Sequence, residues 1–320
     1  MVMQKNKKYD IVGIGNAIVD LIAEVDDSYL EKNSINKGSM SLIDYDVANR
    51  IGNEVDIVKT IPGGSVANSI VCIAQQNLKT VFIGKVNQDE LGEKFAKGLA
   101  EENVEFKITK SLANKHTARC IILVSTDAER TMNTYLGVSQ ELTEEDIDLN
   151  IIEESSILYL EGYLWDLDNA KKAIKKSIST AINSETKIAF SISDAFCVDR
   201  FREEFIDLVN NSADIIFANE SEIKSLFETN ELNDAIKKCQ DTKKIFAVTL
   251  GDKGAKIIYK NEVVDIKAEV IDKLVDTTGA GDLFAAGFLA EYLKTQDLES
   301  SGKQGVKMAS IIIQQFGARL

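Results

Sequence analysis

Histidine and proline are almost absent from this 320-residue chain, which contains one of each, and cysteine occurs only four times. A single histidine, His116, argues against a metal centre built from several imidazoles. The four cysteines are scattered and form no CxxC pair, so we expect neither a disulfide framework nor a zinc site, and a reducing compartment fits. Candidate chemistry must therefore be sought among carboxylates, amides and glycine-rich turns.

Basic charge and long apolar runs are also in short supply. Lys and Arg number 37 against 51 Asp and Glu, which gives a net charge of −14. Nucleic acids and anionic membranes bind basic surfaces, so neither is expected as a partner. No stretch reaches the roughly 18 uninterrupted apolar residues of a membrane span. Residues 1–8 lack the apolar core of a signal peptide. We expect a cytoplasmic protein that binds small molecules.

Apolar strands alternate with amphipathic helices through most of the chain. The predicted strands of this alternation are 9–14, 80–86, 156–160, 187–191, 214–217 and 245–250, and the predicted helices are 66–75, 90–101, 167–182, 200–209 and 221–227. Such an order is typical of an α/β fold in which helices cover both faces of a large, mostly parallel sheet.

Four further strands interrupt this alternation, and we predict that they form a small separate sheet. They are residues 18–25, 39–43, 118–125 and 130–136. Ligands of open parallel sheets bind beyond the carboxyl ends of the strands, where a small sheet could close over a substrate and exclude water. The predicted division is a large α/β domain of residues 1–15, 45–107 and 138–320, and a small β lid of residues 16–44 and 108–137.

The strongest motif is Asp-Thr-Thr-Gly-Ala-Gly-Asp at 276–282, which runs into an apolar helix. Gly279 and Gly281 flank the small Ala280, so backbone amides can face a ligand without obstruction. A helix N-terminus also favours negative charge. One interpretation is an anion hole for a migrating phosphoryl group with Asp282 as general base. The alternative is a glycine turn capped by Asp282, and local chemistry does not separate the two.

A second glycine motif, Pro-Gly-Gly-Ser-Val-Ala-Asn at 62–68, precedes another apolar helix. Gly63 and Gly64 allow the backbone to approach a ligand, and Asn68 can both donate to and accept from a hydroxyl. The alternative is an ordinary helix cap at Ser65.

Asp20 closes the run Asn-Ala-Ile-Val-Asp that begins at Asn16, and it interrupts the apolar stretch 18–22. A carboxylate inside a strand could accept hydrogen bonds from two sugar hydroxyls. A solvent-facing position on the small sheet is the alternative.

Two later segments could contact a nucleotide. Asn219 and Glu222 lie three residues apart at a helix start, where they could hold Mg²⁺ through water or form a capping box. Thr249, Gly251 and Gly254 lie where a strand runs into a loop, which could border a nucleotide or merely turn the chain.

A dinucleotide-binding fold is a further alternative, because Gly13 and Gly15 follow the first strand. The fingerprint of that fold requires a third glycine where Ile18 stands, followed by a helix. The residues that follow are strand-like instead, which makes an NAD-dependent oxidoreductase the most distant interpretation.

Taken in order, these motifs resemble those of the ribokinase-like (PfkB) family of carbohydrate and nucleoside kinases. The matching runs are 13–20, 63–68, 219–222, 249–254 and 276–282, which span nearly the whole chain. Within that family, the runs 15–20, 129–132 and 160–165 are most similar to bacterial adenosine kinase-like members.

The resemblance implies a large α/β domain with a small β lid, ATP and Mg²⁺ as cofactors, and a role for each matched position. The implied catalytic residues are Asp282 as base, the amides of Gly279, Ala280 and Gly281 as anion hole, and Arg130 as a phosphate contact from the lid. The implied acceptor-binding residues are Asn16, Asp20, Gly63, Gly64, Ser65 and Asn68, with Met132, Tyr163 and Phe196 in a purine pocket. The implied ATP-site residues are Asn219, Thr249, Gly251, Gly254 and Thr277, with Asn219 and Glu222 organising Mg²⁺ through water.

The implied reaction is transfer of the γ-phosphoryl group of ATP to a primary hydroxyl, with adenosine as the favoured acceptor. A free-sugar kinase for fructose or ribose is the nearer alternative, and a non-catalytic nucleotide or sugar sensor the more distant one. The presence of Asp282 and the glycine pair argues against a sensor, which needs no base. The sequence leaves open whether the protein is a monomer or a homodimer, and whether a monovalent cation binds near Asp276.

Overall fold

The computed structural model describes residues 7–111, 115–127 and 129–320. The strands of this part of the chain are β1 Tyr9–Ile14, β2 Ile18–Glu24, β3 Met40–Leu42, β4 Ile57–Gly63, β5 Thr80–Asn87, β6 Glu105–Ser111, β7 Ala118–Val124, β8 Arg130–Tyr135, β9 Ser155–Glu161, β10 Lys187–Ser191, β11 Ile215–Asn219, β12 Ile245–Thr249, β13 Ala255–Tyr259 and β14 Glu262–Ile266. Its α-helices are α1 Asp27–Lys32, α2 Tyr45–Glu54, α3 Ser65–Ala74, α4 Glu90–Glu101, α5 Leu149–Glu153, α6 Asp168–Asn183, α7 Ala195–Asn211, α8 Glu220–Leu226, α9 Leu232–Thr242, α10 Ala280–Thr295 and α11 Leu298–Ile312.

A large sheet carries the main body, in the order β14-β13-β12-β11-β10-β9-β1-β5-β6. The strands from β12 to β6 are all parallel, while β13 and β14 add an antiparallel edge. Ile14 at the end of β1 lies in register with Ile83 of β5 and Leu160 of β9. The predicted large, mostly parallel sheet flanked by helices is confirmed.

Two apolar cores cover the two faces of this sheet. Neighbouring residues of a strand point to opposite faces, and accordingly Ile11 of β1 packs in one core and Val12 in the other. Phe284 of α10 belongs to the first core, whereas Trp165 and Phe205 pack together in the second. All four cysteines are buried and free. No helix in the described ranges is long and apolar enough to cross a membrane.

The second sheet is small and has the order β3-β8-β7-β2-β4. The four strands predicted for it are all present, but β4 is a fifth that was not predicted. Its sequence contains Lys59, Thr60, Pro62 and Gly63, which do not resemble a buried strand. An edge strand tolerates proline because one side of its backbone needs no partner. The division into two domains stays a prediction, and two strands do not follow its boundaries. β4 pairs in the small sheet although it falls within 45–107, and β6 pairs in the large sheet although it extends beyond position 107.

The fold gathers polar residues at one edge of the large sheet. Because β1, β9, β11 and β12 are parallel, their carboxyl ends open to the same side. Asn16 follows β1, and Glu161, Asn219 and Thr249 close β9, β11 and β12. Helices α3 and α10 pack against each other there, so the two glycine motifs that precede them meet.

Candidate active site

Asp282 lies in the first turn of α10 and faces the start of α3. Ser65 Oγ donates to Asp282 Oδ1 at 2.6 Å, and Asn68 Nδ2 donates to Oδ2 at 3.0 Å. The N-caps of α10 and α3 are Gly279 and Gly64, and neither helix has a side-chain cap. The alternatives in which Asp282 and Ser65 only cap their own helices are therefore wrong.

The surroundings of Asp282 favour a basic carboxylate. Burial raises the pKa of this carboxyl above its ordinary value, while the donors Ser65 and Asn68 and the positive charge of Arg319 oppose the rise. A carboxylate with a raised pKa binds a proton more readily than one in water. The geometry therefore fits a general base held by two neutral donors.

The turn before α10 presents free backbone amides. Gly279 has φ 78°, and Ala280 N–H donates to the carbonyl of Thr277 at 3.1 Å. Within the described chain, the N–H groups of Gly279, Gly281 and Asp282 have no hydrogen-bond partner. The Ala280 amide was predicted to be part of the anion hole, but in the structure this amide closes the turn.

The two glycines of this turn make a matched pair for mutation. A Cβ on Gly281 would meet no atom within 4 Å, so we expect Gly281→Ala to fold normally. Gly281 borders the first cavity, so an added methyl group would occupy space that the phosphoryl group needs, and we expect kcat to fall about 10²-fold. Gly279→Ala would place Cβ 2.6 Å from Ala318 Cβ at a positive φ, costing roughly 1–3 kcal/mol of stability. Thermal unfolding and kcat separate the two effects, and an unchanged kcat in Gly281→Ala would remove these amides from the reaction.

Arg130 connects the small sheet to the loop 276–279 that precedes α10. Its Nη2 lies 2.8 Å from Asp276 Oδ2, and its Nη1 donates to Thr278 Oγ1 at 3.2 Å. Asp276 also accepts from the N–H groups of Thr278 at 3.0 Å and Gly317 at 2.9 Å. Arg130 already neutralises Asp276, the residue near which a monovalent cation was considered. In the described residues Arg130 Nε is buried without a partner.

Asp20 is partly buried on β2, and its carboxylate has no hydrogen bond or ion pair to any described residue. A Cβ on Gly63 of β4 would lie 2.6 Å from Asp20 Oδ2, so the glycine leaves room for the carboxylate. Burial raises the pKa of Asp20 to about 7, Asp282 adds to the rise, and Arg319 and Arg130 oppose it. An unsatisfied carboxylate in this position is suited to accept hydroxyls from a ligand.

Glu161 is a buried carboxylate that the sequence analysis did not include in the site. Its Oε1 accepts from Asn16 N–H at 2.9 Å and Asn16 Nδ2 at 2.8 Å, and its Oε2 accepts from Val66 N–H at 3.0 Å. Burial raises its pKa to about 7 against these donors. Gly64, at φ 95°, lies against Asn16, where a Cβ would be 2.2 Å from the Asn16 carbonyl oxygen. Glu161 thus joins the residue after β1 to the start of α3.

Two cavities meet at this cluster and share Ser65 and Tyr163 in their walls. The first, of about 270 Å³, is lined by Asn219, Glu222, Thr249, Gly279, Gly281 and Asp282, among others. The second, of about 520 Å³, has a largely apolar wall that includes Ile18, Met40, Leu42, Met132, Leu136 and Phe196. Tyr163, Met132 and Phe196 line this cavity together with Met40 and Leu42 of β3, and their role in binding a purine stays a prediction.

Asn219 and Glu222 form the capping box that was the structural alternative for this motif. Glu222 accepts from Asn219 N–H at 2.9 Å and from Asn219 Nδ2 at 2.6 Å. Each carboxylate oxygen accepts one hydrogen bond and keeps capacity for another. Burial raises the pKa of Glu222 to about 7, and a nearby cation would favour its charged form. Both residues border the first cavity, so they fit a Mg²⁺ ion held through water.

Of the other residues predicted to contact the nucleotide, one lines a cavity and three do not. Thr249 borders the first cavity, whereas Gly251, Gly254 and Thr277 are not among the described residues that line either cavity. Gly254 packs closely on β14, since a Cβ there would lie 2.1 Å from the Ile266 carbonyl oxygen. The roles of these three residues in ATP binding stay predictions.

Arg319 is a second residue that the sequence analysis missed. It lies after α11, and its Nε donates to Asn68 Oδ1 at 3.1 Å. Burial lowers its pKa to about 10, while Asp20, Glu102 and Asp282 oppose the fall. The sequence around it carries no motif that could have identified it.

The fold and this arrangement define a small-molecule kinase. A carboxylate and free amides at a helix start face one cavity, and a second, largely apolar cavity lies against the small sheet. The family model described as pfkB family carbohydrate kinase matches residues 10–320, and the chain belongs to this family.

The relatives include both sugar and adenosine kinases. The chain is 41% identical to the adenosine kinase of Sinorhizobium meliloti, with 98% of this chain and 96% of that one covered and a TM-score of 0.90. It is 38% identical to a probable sugar kinase of Rhizobium etli, with 98% and 95% covered and a TM-score of 0.91. It is 26% identical to the adenosine kinase of Saccharomyces cerevisiae, with 96% of this chain and 95% of that protein covered.

The protein is therefore a phosphotransferase that acts on an alcohol group of a sugar or nucleoside. Kinases of this family use ATP, typically with Mg²⁺. Gly13 and Gly15 therefore belong to a kinase of this family, and their interpretation as part of an NAD-dependent oxidoreductase is wrong.

Proposed function

We propose that the protein transfers the γ-phosphoryl group of ATP to the 5′-hydroxyl of adenosine, giving AMP. The observation that supports a nucleoside most strongly is the apolar cavity of about 520 Å³ beside the candidate base. Its volume lies within the range of about 300–1,000 Å³ that small-molecule sites occupy. A flat purine can bury its faces against Met132 and Phe196, whereas a free sugar would lose hydrogen bonds to water there.

The ribose is held by the polar residues around Ser65 and Asp282, which line the first cavity. Asp20 has no partner in the described chain and accepts the two secondary hydroxyls. The backbone at Gly63 and Gly64 approaches the sugar, and Asn68 adds an amide already directed at the base. The primary hydroxyl then points to Asp282, on the side of the first cavity.

Phosphoryl transfer depends on alignment and charge stabilisation. Asp282 accepts the proton of the 5′-hydroxyl while the 5′-oxygen forms a bond to the γ-phosphorus. The bond from phosphorus to the oxygen that bridges to the β-phosphate breaks, and ADP leaves with that electron pair. The free amides of Gly279 and Gly281 donate to the phosphoryl oxygens. Mg²⁺ supplies further positive charge to the phosphates when bound, and Asn219 and Glu222 would hold it through water.

A panel of acceptors tests the substrate. ADP release is measured with Mg-ATP and adenosine, inosine, guanosine, ribose or fructose. We expect adenosine to have the highest kcat/KM, because the apolar cavity accepts the base. A higher kcat/KM with ribose or fructose would overturn the nucleoside assignment and leave a free-sugar kinase. Binding of ATP without turnover of any acceptor would contradict the proposal and favour the sensor.

The purine cavity itself can be tested with Met132→Ala. Loss of the apolar contact should raise the KM for adenosine about tenfold, with a smaller change in kcat. Ile182→Ala is the control, since Ile182 is an exposed apolar residue of α6 that does not line this cavity. Equal KM values in the two variants would argue that the base does not bind against β8.

A further inference from the structure

The segment that follows α11 reaches the centre of the candidate site, where Arg319 meets Asn68. We infer that Arg319 is a positioning residue for phosphoryl transfer, which fixes the Asn68 amide and through it the Asp282 carboxylate. This inference rests on the proposed role of Asp282 as the base. It adds a second arginine to a site in which Arg130 already contacts Asp276.

The hydrogen bonds allow only one orientation of the Asn68 side chain. Arg319 Nε–H can only donate, so the atom 3.1 Å away must be the oxygen of Asn68. The Asn68 nitrogen then faces Asp282 and donates to Oδ2 at 3.0 Å. A carboxylate that serves as base can only accept a hydrogen bond. Asp282 and Arg319 therefore require the same orientation of the Asn68 amide. Without Arg319, the Asn68 amide would lose the contact that keeps its nitrogen directed at Asp282.

The segment 317–319 also contacts the loop 276–279 that precedes α10. Gly317, two residues earlier, donates its N–H to Asp276 at 2.9 Å. Ala318 packs on Gly279 so closely that a Cβ on the glycine would lie 2.6 Å from the Ala318 Cβ. The position of Arg319 is therefore coupled to the loop that carries the free amides, and is not that of an independent surface side chain.

The charge of Arg319 lies among carboxylates that would otherwise repel one another. The acids whose charges act on it are Asp20 on β2, Glu102 after α4 and Asp282 on α10. Asp282 itself interacts with Asp20, with Tyr159 and Glu161 of β9, and with Tyr163 after β9. Arg319 forms no ion pair with any described residue, and its Nη2 is buried without a hydrogen-bond partner. The guanidinium thus stabilises several carboxylates at longer range.

Arg319→Gln removes the charge and keeps a polar side chain. The ionised forms of Asp20 and Asp282 lose stabilisation, so their pKa values rise. Because the base must be deprotonated, the acid limb of the kcat profile should move to higher pH. We expect a displacement of about one pH unit, which lowers kcat about tenfold on that limb. Arg319→Lys keeps the charge and should leave the limb near its wild-type position, with a lower plateau because the contact to Asn68 is changed.

The experiment compares kcat across pH for the wild type, Arg319→Gln, Arg319→Lys and Arg119→Gln, with thermal unfolding of each. Arg119 is the matched control: it has a buried, unpartnered Nε in the described chain and lies over Tyr45, with 5.1 Å from Cζ to the ring centroid. Arg119→Gln should lose stability without moving the limb. An acid limb that coincides in the wild type and Arg319→Gln would overturn the inference. If Arg319→Gln does not fold, Arg319→Lys provides the test. A plateau kcat equal to that of the wild type in Arg319→Lys would then overturn the inference. Wild-type turnover by Asp282→Asn would instead overturn the proposed base.

Discussion

Replacing Asp282 with Asn is expected to lower kcat by about 10²–10⁴-fold, the contribution of a general base. The amide is nearly the same size as the carboxylate. Its oxygen can accept from Asn68 while its nitrogen donates to the Ser65 hydroxyl, so the site should keep its shape. It cannot take up the proton of the acceptor hydroxyl. The KM values for ATP and for the acceptor should change less than kcat, because neither depends on proton transfer.

The stability of this variant provides a second readout. Because burial raises the pKa of Asp282, this carboxylate binds a proton more tightly in the folded protein than in the unfolded chain. The charged carboxylate therefore costs stability as the pH rises above its ordinary pKa. Asp282→Asn should unfold at an equal or higher temperature than the wild type at pH 8. Asp234→Asn, an exposed position on α9, is the control and should change neither kcat nor stability. Retention of more than half the wild-type kcat by Asp282→Asn would exclude the base assignment.

Replacing Asp20 with Asn should raise the KM for the acceptor about 10²-fold or more. A hydrogen bond to a charged group contributes about 1.5–3 kcal/mol, and Asp20 is proposed to accept two of them. Loss of kcat should be smaller, since Asp20 does not take part in proton transfer. Glu24→Gln at the exposed end of the same strand is the matched control. An unchanged acceptor KM in Asp20→Asn would remove Asp20 from the sugar site.

The pH dependence of acceptor binding follows from the same residue. The pKa of Asp20 is raised from 3.8 to about 7, chiefly by burial. Only the ionised form accepts two hydroxyls, so the KM for the acceptor should fall as the pH rises through 7. In Asp20→Asn this dependence should disappear. A wild-type KM that stays constant across this range would show that Asp20 does not control acceptor binding.

The sequence predicted most of the large sheet, because its parallel strands are short apolar runs separated by amphipathic helices. The predicted strands 9–14 and 187–191 and the helix 90–101 match β1, β10 and α4 at both ends. The edge strands were harder, since they are buried on one side only. Strand β4 contains a proline and a glycine that predict a turn, and its pairing with β2 provides the partner that a local pattern cannot show.

The sequence predicted those site residues that are unusual in their local context, because packing or helix formation alone does not explain their presence there. Asp20 inside an apolar run and the glycines before α3 and α10 belong to this group. Glu161 follows the predicted strand 156–160, and only the structure brings Asn16 and Val66 to it. Arg319 contacts Asn68 across 251 positions of the chain, and no periodicity carries such a contact. The Ala280 amide was misassigned because its bond to Thr277 depends on how the turn closes.

The most direct test of the central claim is to identify the product formed from Mg-ATP and adenosine by phosphorus NMR, with wild-type protein beside Asp282→Asn. We predict that the wild type forms AMP, phosphorylated on the 5′-oxygen, in equal amount to ADP, and that the variant forms almost none. ADP without AMP, or faster phosphorylation of free ribose or fructose than of adenosine, would contradict the account.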